Sequence, residues 1–345
     1  MRNSQAVMEE TILENTPESE VVSHTKIVEL VRKWGDLNTD GVLDPVCQIF
    51  IHPSIEGLIA YRVASGNAVV YGEPLCSSEN KGRLATFFQS FCQKKHWKVV
   101  YTIVSEKFAE WSAVNLSGVT IQFGEKLILN PMTSHPSKKT GSKAVLLRKK
   151  IKHAAKGGVV FQEYAGNDPK IEEGIQQIGV DWLKSRSGPQ VHLAHISLFD
   201  DRFGKRWFYA MCQEHVVGVL ILNHLESQNG WLLNNVMLSP SAPPGTSELL
   251  VVSTLEVLAK EECCYVAVGP IPSNTIERIH GLGTMSSWIT KMLYRASKTI
   301  FRLDGHNVFW DKFQPEREPS YLVFPENNFG ISSIRAVLRA FNVNI

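Results

Sequence analysis

Residues 57–75 read GLIAYRVASGNAVVYGEPL, and they are followed by GRLATFFQSFCQKKHW at 82–97 and KVVYTIVS at 98–105. The first segment holds two runs rich in β-branched and aromatic residues that meet at Ser65-Gly66-Asn67, which predicts two strands joined by a turn. The second segment predicts a helix and the third predicts another strand. The local order is therefore strand, strand, helix, strand.

The same order recurs later in the chain. Residues 206–225 predict a hairpin, 230–238 a third strand, 246–262 a helix and 264–272 a further strand. The repeat is one of architecture and not of sequence identity. Each half fits the pattern of a GCN5-related N-acetyltransferase (GNAT) fold, in which helices flank a mixed sheet and a splayed central strand holds a thioester or ester. We predict an α/β fold of two GNAT-like halves in tandem.

Turn-rich and charged stretches set the predicted domain limits. Residues 1–22 are polar and acidic and predict a flexible arm, and the polar stretch 130–141, NPMTSHPSKKTG, predicts a linker. We expect helices near Ser23–Gly35 and Ser332–Phe341. The predicted units are an N-terminal arm at 1–22, a first half at 23–130, a linker with a basic helix at 131–158, and a second half at 159–345.

The segment 138–156, KKTGSKAVLLRKKIKHAAK, carries eight Lys or Arg residues and no acid. Without it, the chain would have 28 basic residues against 34 acidic ones. Its bases recur every four residues beside an apolar stripe, which predicts an amphipathic helix that ends at Gly157-Gly158. A solvated helix face is the alternative, but eight like charges without an acid favour a bound phosphate backbone. The predicted contacts are Lys138, Lys139, Lys143, Arg148, Lys149, Lys150, Lys152 and Lys156.

Composition excludes several other classes of protein. With 345 residues and 43% hydrophobic content the chain can bury a large core, and it has no apolar run of the roughly 18 residues that a membrane helix needs. We expect a soluble, cytoplasmic protein. The six cysteines lack C-x-x-C spacing and the histidines lack metal-ligand spacing, so no disulfide frame and no metal site is predicted. The absence of G-x-S-x-G argues against a hydrolase triad.

The segment FWDKFQP at 309–315, followed by Tyr321-Leu322, resembles the closing signature of the phosphatidylglycerol lysyltransferase (MprF-type) catalytic domain. Four segments earlier in the chain also resemble parts of that catalytic domain, and they occur in the same order as in the family. The resemblance therefore covers Leu58 to Phe324. The four segments are Gly72-Glu73-Pro74, Leu147-Arg148-Lys149-Lys150, Pro244-Gly245-Thr246 to Leu249, and Val268-Gly269-Pro270-Ile271-Pro272.

The resemblance implies a tandem GNAT-like enzyme that transfers an aminoacyl group from charged tRNA to an acceptor, with no cofactor, no metal and no covalent enzyme intermediate. Bacterial relatives carry a membrane domain, and soluble fungal relatives include sterol aminoacyltransferases and arginine-containing cyclodipeptide synthases. The acceptor is therefore open: a lipid or sterol hydroxyl, or a second aminoacyl group. Two departures bear on specificity, because Trp310 replaces a family lysine and Asn235 replaces a family aspartate.

An aminoacyl ester is already activated, so the enzyme has to position it, assist deprotonation of the acceptor and stabilise the oxyanion. Lys312 is the candidate for the terminal phosphate or the oxyanion, and Glu73 is a candidate base. Glu248 begins a helix after the splayed strand, where complementing the helix N-terminus is the alternative role. Asn235, with its neighbour Asn234, lies where the pocket would open.

Two rival functions remain. An acyl-CoA N-acyltransferase needs a glycine-rich loop, R/Q-x-x-G-x-G/A, to bind pyrophosphate, whereas this chain has SPSAPPGTSELL at 239–250 with three prolines and one glycine. A non-enzymatic RNA-binding module would use the same basic helix, but no known RNA-binding signature accompanies it.

Overall fold

The computed structural model describes residues 22–37, 39–116, 118–133, 140–166, 168–185, 198–272, 278–283 and 308–341. The helices are α1 His24–Trp34, α2 Thr39–Val42, α3 Lys81–Lys94, α4 Glu106–Asn115, α5 Ser142–Lys156, α6 Pro169–Ser185, α7 Thr246–Lys260 and α8 Ile331–Ala340. The strands are β1 Gln48–Phe50, β2 Gly57–Ala64, β3 Asn67–Tyr71, β4 Leu75–Cys76, β5 Lys98–Val104, β6 Val119–Leu129, β7 Val160–Glu163, β8 Lys205–Cys212, β9 His215–Leu225, β10 Gly230–Leu238, β11 Val266–Pro272, β12 Ile279–His280 and β13 Glu316–Phe324.

All the strands join one mixed sheet of 13 strands. Its main path is β1-β2-β3-β5-β13-β6-β11-β10-β9-β8-β7, with β12 on β6 and β4 on β2 as side branches. Helices cover both faces of the sheet, and hydrophobic clusters lie on either side of each half. The predicted tandem GNAT-like fold is confirmed. No helix in the described ranges is long and apolar enough to cross a bilayer.

Among the described strands, each half contains one parallel pair. In the first half β3 pairs with β5, from Asn67 opposite Lys98 to Tyr71 opposite Thr102. In the second half β10 pairs with β11 over only three positions, from Trp231 opposite Val266 to Leu233 opposite Val268. Strand β5 runs antiparallel to β13, whereas β11 and β13 both run antiparallel to β6. The two parallel pairs therefore run in opposite directions, and their open ends face opposite ends of the sheet.

The junction between the halves is formed by a strand from the C-terminal end of the chain. Strand β13 lies between β5 and β6, and its pairing with β6 extends from Glu316 opposite Ile128 to Phe324 opposite Val119. Helix α8, which follows β13, packs on β2 and β3. A segment of the predicted second half thus completes the sheet of the first. The predicted domain limits stay a prediction, since the sheet is continuous across them.

Short local signals set the ends of several helices. The Ser23 side chain accepts a hydrogen bond from the Lys26 amide at the start of α1, and Ser105 does the same for the Phe108 amide at the start of α4. Helix α1 also ties the halves together, because buried Arg32 donates from Nε to the Phe203 carbonyl at 3.0 Å. The helices predicted near 23–35 and 332–341 are confirmed.

We expect Ile121→Ala to lower the free energy of unfolding by about 2–5 kcal/mol, because the Ile121 side chain is 2% exposed at the junction of β6 and β13. The matched control is Ile331→Ala, since Ile331 is 78% exposed at the start of α8; its effect should stay within about 0.5 kcal/mol. Guanidinium denaturation measures both. Equal losses for the two variants would contradict the proposed role of the junction in stability.

Candidate active site

The basic segment folds as helix α5. It begins after Gly141, which has φ 92°, and ends before Gly157, close to the predicted limits. Its apolar side is buried at Ala144, Leu147 and Ala154, and α5 packs against α7. The opposite side faces solvent. The helix is thus attached to the second half through its apolar residues, and its charged surface stays available to a ligand.

The predicted phosphate contacts occupy different positions around α5. Lys149, Lys152 and Lys156 are exposed, and within the described part of the chain they form no ion pair with an acid. Arg148 is exposed, and Lys150 is half-buried beside α7. The Lys143 Nζ lies 3.6 Å from the Asp311 carboxylate. Lys138 and Lys139 lie outside the described residues. Lys149, Lys152 and Lys156 therefore form an exposed basic surface and are the clearest candidates for contacts with an anion.

The start of α7 packs directly on the backbone of α5. Gly245 precedes α7 with φ 96°, and a Cβ atom there would lie 2.2 Å from the Lys150 carbonyl oxygen. Only glycine tolerates both the positive φ and this approach. The Thr246 amide donates to the Pro243 carbonyl at 3.2 Å. The helix start at which an acyl-CoA enzyme would bind pyrophosphate is therefore occupied by α5.

Lys312 and Glu248 form an ion pair although 64 positions separate them in sequence. The Lys312 Nζ donates to the Glu248 Oε1 at 2.8 Å, and Nζ lies 4.7 Å from the centre of the Phe309 ring. Lys312 lies in a short turn at 311–313. Trp310 and Phe313 lie on either side of Lys312 and Asp311, and both are buried in the same hydrophobic cluster as residues of α7. Trp310 is thus a packing residue that helps to hold Lys312 in place.

The Glu248 carboxylate is charged in this site. Burial by itself would raise its pKa, but hydrogen bonds from Lys312, from the Ser247 hydroxyl at 2.9 Å and from its own amide lower the pKa below the ordinary value. A carboxylate held in this way is a poor proton acceptor at neutral pH. Its geometry instead suits it to orienting the Lys312 ammonium group toward an anionic partner.

The sheet opens between β10 and β11 at Leu233 and Val268, which belong to the same hydrophobic cluster as Trp310 and Phe313. Beyond Leu233 and Val268, strand β10 continues along β9 while β11 continues along β6, and both strands carry a β-bulge at this level. In β10 the extra residue is Asn234, because Leu233 faces Leu222 and Asn235 faces Ile221. Bulges of this kind end pairing and redirect side chains. The opening is the predicted splay, between β10 and β11.

The bulge also decides where Asn235 lies. Leu233 and Val236 belong to the hydrophobic cluster under α7, whereas Met237 belongs to the cluster under α6. By alternation Asn235 shares the α6 face with Met237. Simple alternation from Leu233 would have put Asn235 on the α7 face. Asn235 and the Lys312–Glu248 pair therefore lie on opposite faces of the sheet, next to the gap between β10 and β11.

Glu73 lies in the other half, away from Lys312. Its carboxylate accepts from Lys81 Nζ at 2.6 Å and from the Ser105 amide at 2.6 Å. Burial would raise the pKa of Glu73, but these contacts lower it below the ordinary value. Glu73 thus links the turn after β3 to the start of α3 and the start of α4. The geometry favours this structural role over that of a base.

A cavity of about 410 Å³ lies at the open end of the first-half parallel pair. Its lining includes Ile103, Asp36, Lys126 and Glu318. The Lys126 Nζ lies 3.4 Å from Asp36 and 3.0 Å from Glu318. Burial would lower the pKa of Lys126, but Asp36 and Glu318 raise it above the ordinary value. No sequence motif indicates this cavity, because its lining residues come from strands and a loop that are far apart in the sequence.

Three contacts near Lys312 were not predicted from the sequence. Ser247 donates to Glu248, and Asp311 pairs with both Lys143 and Arg317. Asp311 lies within the quoted motif 309–315, which was the one available signal. Within the described part of the chain, no three His, Cys, Asp or Glu side chains are arranged to hold a metal ion. That the reaction needs no metal or other cofactor stays a prediction.

Comparison with known proteins identifies the family. A family model described as phosphatidylglycerol lysyltransferase, C-terminal, matches residues 42–324. The chain belongs to this family. The resemblance inferred over Leu58 to Phe324 is thereby confirmed. An uncharacterised protein of Corynebacterium glutamicum is 22% identical over 302 residues. That match covers 85% of this chain but only 37% of the relative, so the chain spans little more than a third of that protein.

Two solved structures share the fold of this lysyltransferase-family chain. One is the C-terminal domain of a putative lysylphosphatidylglycerol synthetase from Agrobacterium fabrum, with a TM-score of 0.74 and 17% identity. The other is L-PGS from Bacillus licheniformis, with a TM-score of 0.74 and 16% identity. Each comparison covers 94% of this chain and 99% of the other. At these identities the likeness establishes the fold.

We expect Gly245→Ala to destabilise the protein by more than Gly141→Ala. Both glycines have φ above 90°, with ψ of 174° at Gly141 and −1° at Gly245, so both variants incur backbone strain of about 1–3 kcal/mol. A Cβ at Gly141 meets nothing within 4 Å, whereas one at Gly245 meets the Lys150 carbonyl. A larger loss of unfolding free energy for Gly245→Ala than for Gly141→Ala, measured by denaturant unfolding, would indicate that the α5–α7 contact adds to the backbone strain. Equal losses of unfolding free energy for the two variants would show that α5 moves away from a Cβ atom at position 245 without any cost in stability.

We expect Glu248→Gln to cost about 1.5–3 kcal/mol at pH 7, because a charged hydrogen bond to Lys312 is lost. The pKa of Glu248 is lower in the folded protein, so its stabilisation is fully present above the unfolded pKa of about 4.3 and is lost as pH falls through the folded pKa. Urea denaturation from pH 7 to pH 3 should show the wild-type advantage shrinking with acid. If the difference in unfolding free energy between the wild type and Glu248→Gln did not change with pH, Glu248 and Lys312 would not form a charged pair.

Proposed function

We propose that this protein is an aminoacyl-tRNA-dependent aminoacyltransferase. The observation that carries the proposal is the contact between α5 and the start of α7, which places a basic helix with three exposed lysines, Lys149, Lys152 and Lys156, beside the Lys312–Glu248 pair. Family membership over residues 42–324 supports the same reaction class. A polyanion bound along α5 would therefore present one of its ends to the gap between β10 and β11.

The reaction divides into binding, activation and proton transfer. The amine or hydroxyl of the acceptor attacks the ester carbonyl of the aminoacyl group, and the terminal hydroxyl of the tRNA leaves. Lys312 is suited to stabilise the oxyanion or the last phosphate, because Glu248 holds its ammonium group in a partly buried position. Since the carboxylates of Glu248 and Glu73 are both engaged as anions, neither is the preferred base.

The acceptor is proposed by class only. The structural relatives are described as lysylphosphatidylglycerol synthetases, which supports a lipid hydroxyl. A sterol hydroxyl, or a second aminoacyl group giving a cyclic dipeptide, is an alternative with the same chemistry at the ester. The acyl-CoA alternative is disfavoured, because the Lys150 carbonyl covers the α7 start and the Glu248 amide serves its own carboxylate.

The test is an incubation of the purified chain with total charged tRNA and a cell extract, with and without ribonuclease. Mass spectrometry of lipids and small molecules then identifies the product. A ribonuclease-sensitive aminoacyl lipid, aminoacyl sterol or cyclic dipeptide supports the proposal and names the acceptor. Consumption of acetyl-CoA without any RNA-dependent product would replace it with the acyl-CoA reaction.

We expect the triple variant Lys149→Gln, Lys152→Gln and Lys156→Gln to bind tRNA about 10–100-fold more weakly, because three phosphate contacts are lost. The slope of log affinity against log salt should fall by about 2–3. The same substitutions at Lys94, Lys98 and Lys170, which are exposed outside α5, form the matched control and should change little. Anisotropy titrations measure both. An unchanged salt slope in the α5 variant would show that tRNA does not bind to this surface.

A further inference from the structure

Two aliphatic side chains interrupt the charged face of α5. Val145 is 56% exposed and Leu146 is 43% exposed, although the helix already buries a separate apolar face at Ala144, Leu147 and Ala154. Packing within the protein therefore does not account for them. They lie in the first third of the helix, ahead of the lysines that face solvent.

Val145 lies in line with the exposed lysines. Positions 145, 149, 152 and 156 follow the spacing i, i+4, i+7 and i+11, which places them along one line of the helix surface. The line is about 16 Å long at 1.5 Å per residue, and the lysines along it are about 4.5–6 Å apart. That spacing is of the same order as the axial charge spacing of about 3.4 Å along one strand. The line thus has a charged part and an apolar part.

The two ends of α5 differ in their distance from Lys312. Lys143, at the beginning, pairs with Asp311 at 3.6 Å, next to Lys312. Gly157, at the other end, lies against Pro243 in the loop before α7. Val145 and Leu146 therefore lie on the side of the candidate active site, and the charged part of the line leads away from it.

We infer that α5 binds tRNA in one direction, with the paired acceptor stem along Lys149, Lys152 and Lys156 and the unpaired 3′ nucleotides against Val145 and Leu146. The inference rests on the proposed function and adds the polarity of the RNA on that surface. Unpaired bases expose flat apolar faces, which pack on apolar side chains without sequence readout. The 3′ ester then points toward Lys312.

An anionic membrane is the competing partner for a helix with lysines and exposed aliphatics. A helix that lies in a membrane interface needs a broad apolar face turned toward the lipid. The broad apolar face of α5 is instead buried within the protein, next to α7. Two aliphatic side chains beside a line of lysines fit an RNA strand with unpaired nucleotides better.

The test compares intact tRNA with the same tRNA lacking its four unpaired 3′ nucleotides, in anisotropy titrations. For the wild type, removal of these nucleotides should weaken binding about fivefold. The double variant Val145→Ser, Leu146→Ser should bind intact tRNA about fivefold more weakly, bind shortened tRNA as the wild type does, and keep the wild-type salt slope. Val114→Ser, at a valine that is 81% exposed outside α5, is the control.

The outcomes separate this inference from the proposed function. If shortening the tRNA costs the double variant as much as the wild type, the inference is overturned while tRNA binding stands. If the wild type binds neither RNA, the proposed function itself fails. If phosphatidylglycerol vesicles bind the wild type but not the double variant, and shortening has no effect, the surface belongs to a membrane. Thermal melting of each variant confirms that it is folded.

Discussion

Strand β13 has to fill the place between β5 and β6, because each of these strands would otherwise expose a row of unpaired backbone groups in the middle of the sheet. The pairing joins the two halves into one sheet. It also fixes the turn at 311–313, since only two residues separate that turn from β13. The position of Lys312 opposite Glu248 thus depends on a strand pairing that is not itself part of the site.

The charges of the protein are distributed according to what each helix face contacts. Helix α5 buries small apolar residues within the protein and approaches the α7 start so closely that Gly245 has no room for a side chain. Lys149, Lys152 and Lys156 of α5 are left in solvent without acidic partners in the described residues, whereas Lys312 and Lys126 are both paired with carboxylates. The unpaired charges are the ones available to a polyanion, and the paired ones are held in fixed positions.

Much of the fold was predictable because its signals are local. The hairpin at Ser65-Gly66-Asn67, the limits of α5 and the recurrence of strand, strand, helix, strand follow from turn residues and periodicity. The face of the sheet on which Asn235 lies could not be predicted, because the bulge at Asn234 reverses the face on which later β10 residues lie. The partners of Glu73 could not be predicted either, since Lys81 and the Ser105 amide meet it only after β3, α3 and β5 have packed.

The sequence by itself determined the family, the two-part architecture and the concentration of positive charge in one helix, because composition, short-range periodicity and motif order are properties of the chain as written. Only the tertiary structure decided which charges are paired, which face each strand residue occupies and which end of α5 lies near Lys312. The ion pair between Glu248 and Lys312 joins residues 64 positions apart, and β13 returns to the first half across a larger interval. Contacts of this kind depend on the packing of the whole sheet, which no local pattern specifies.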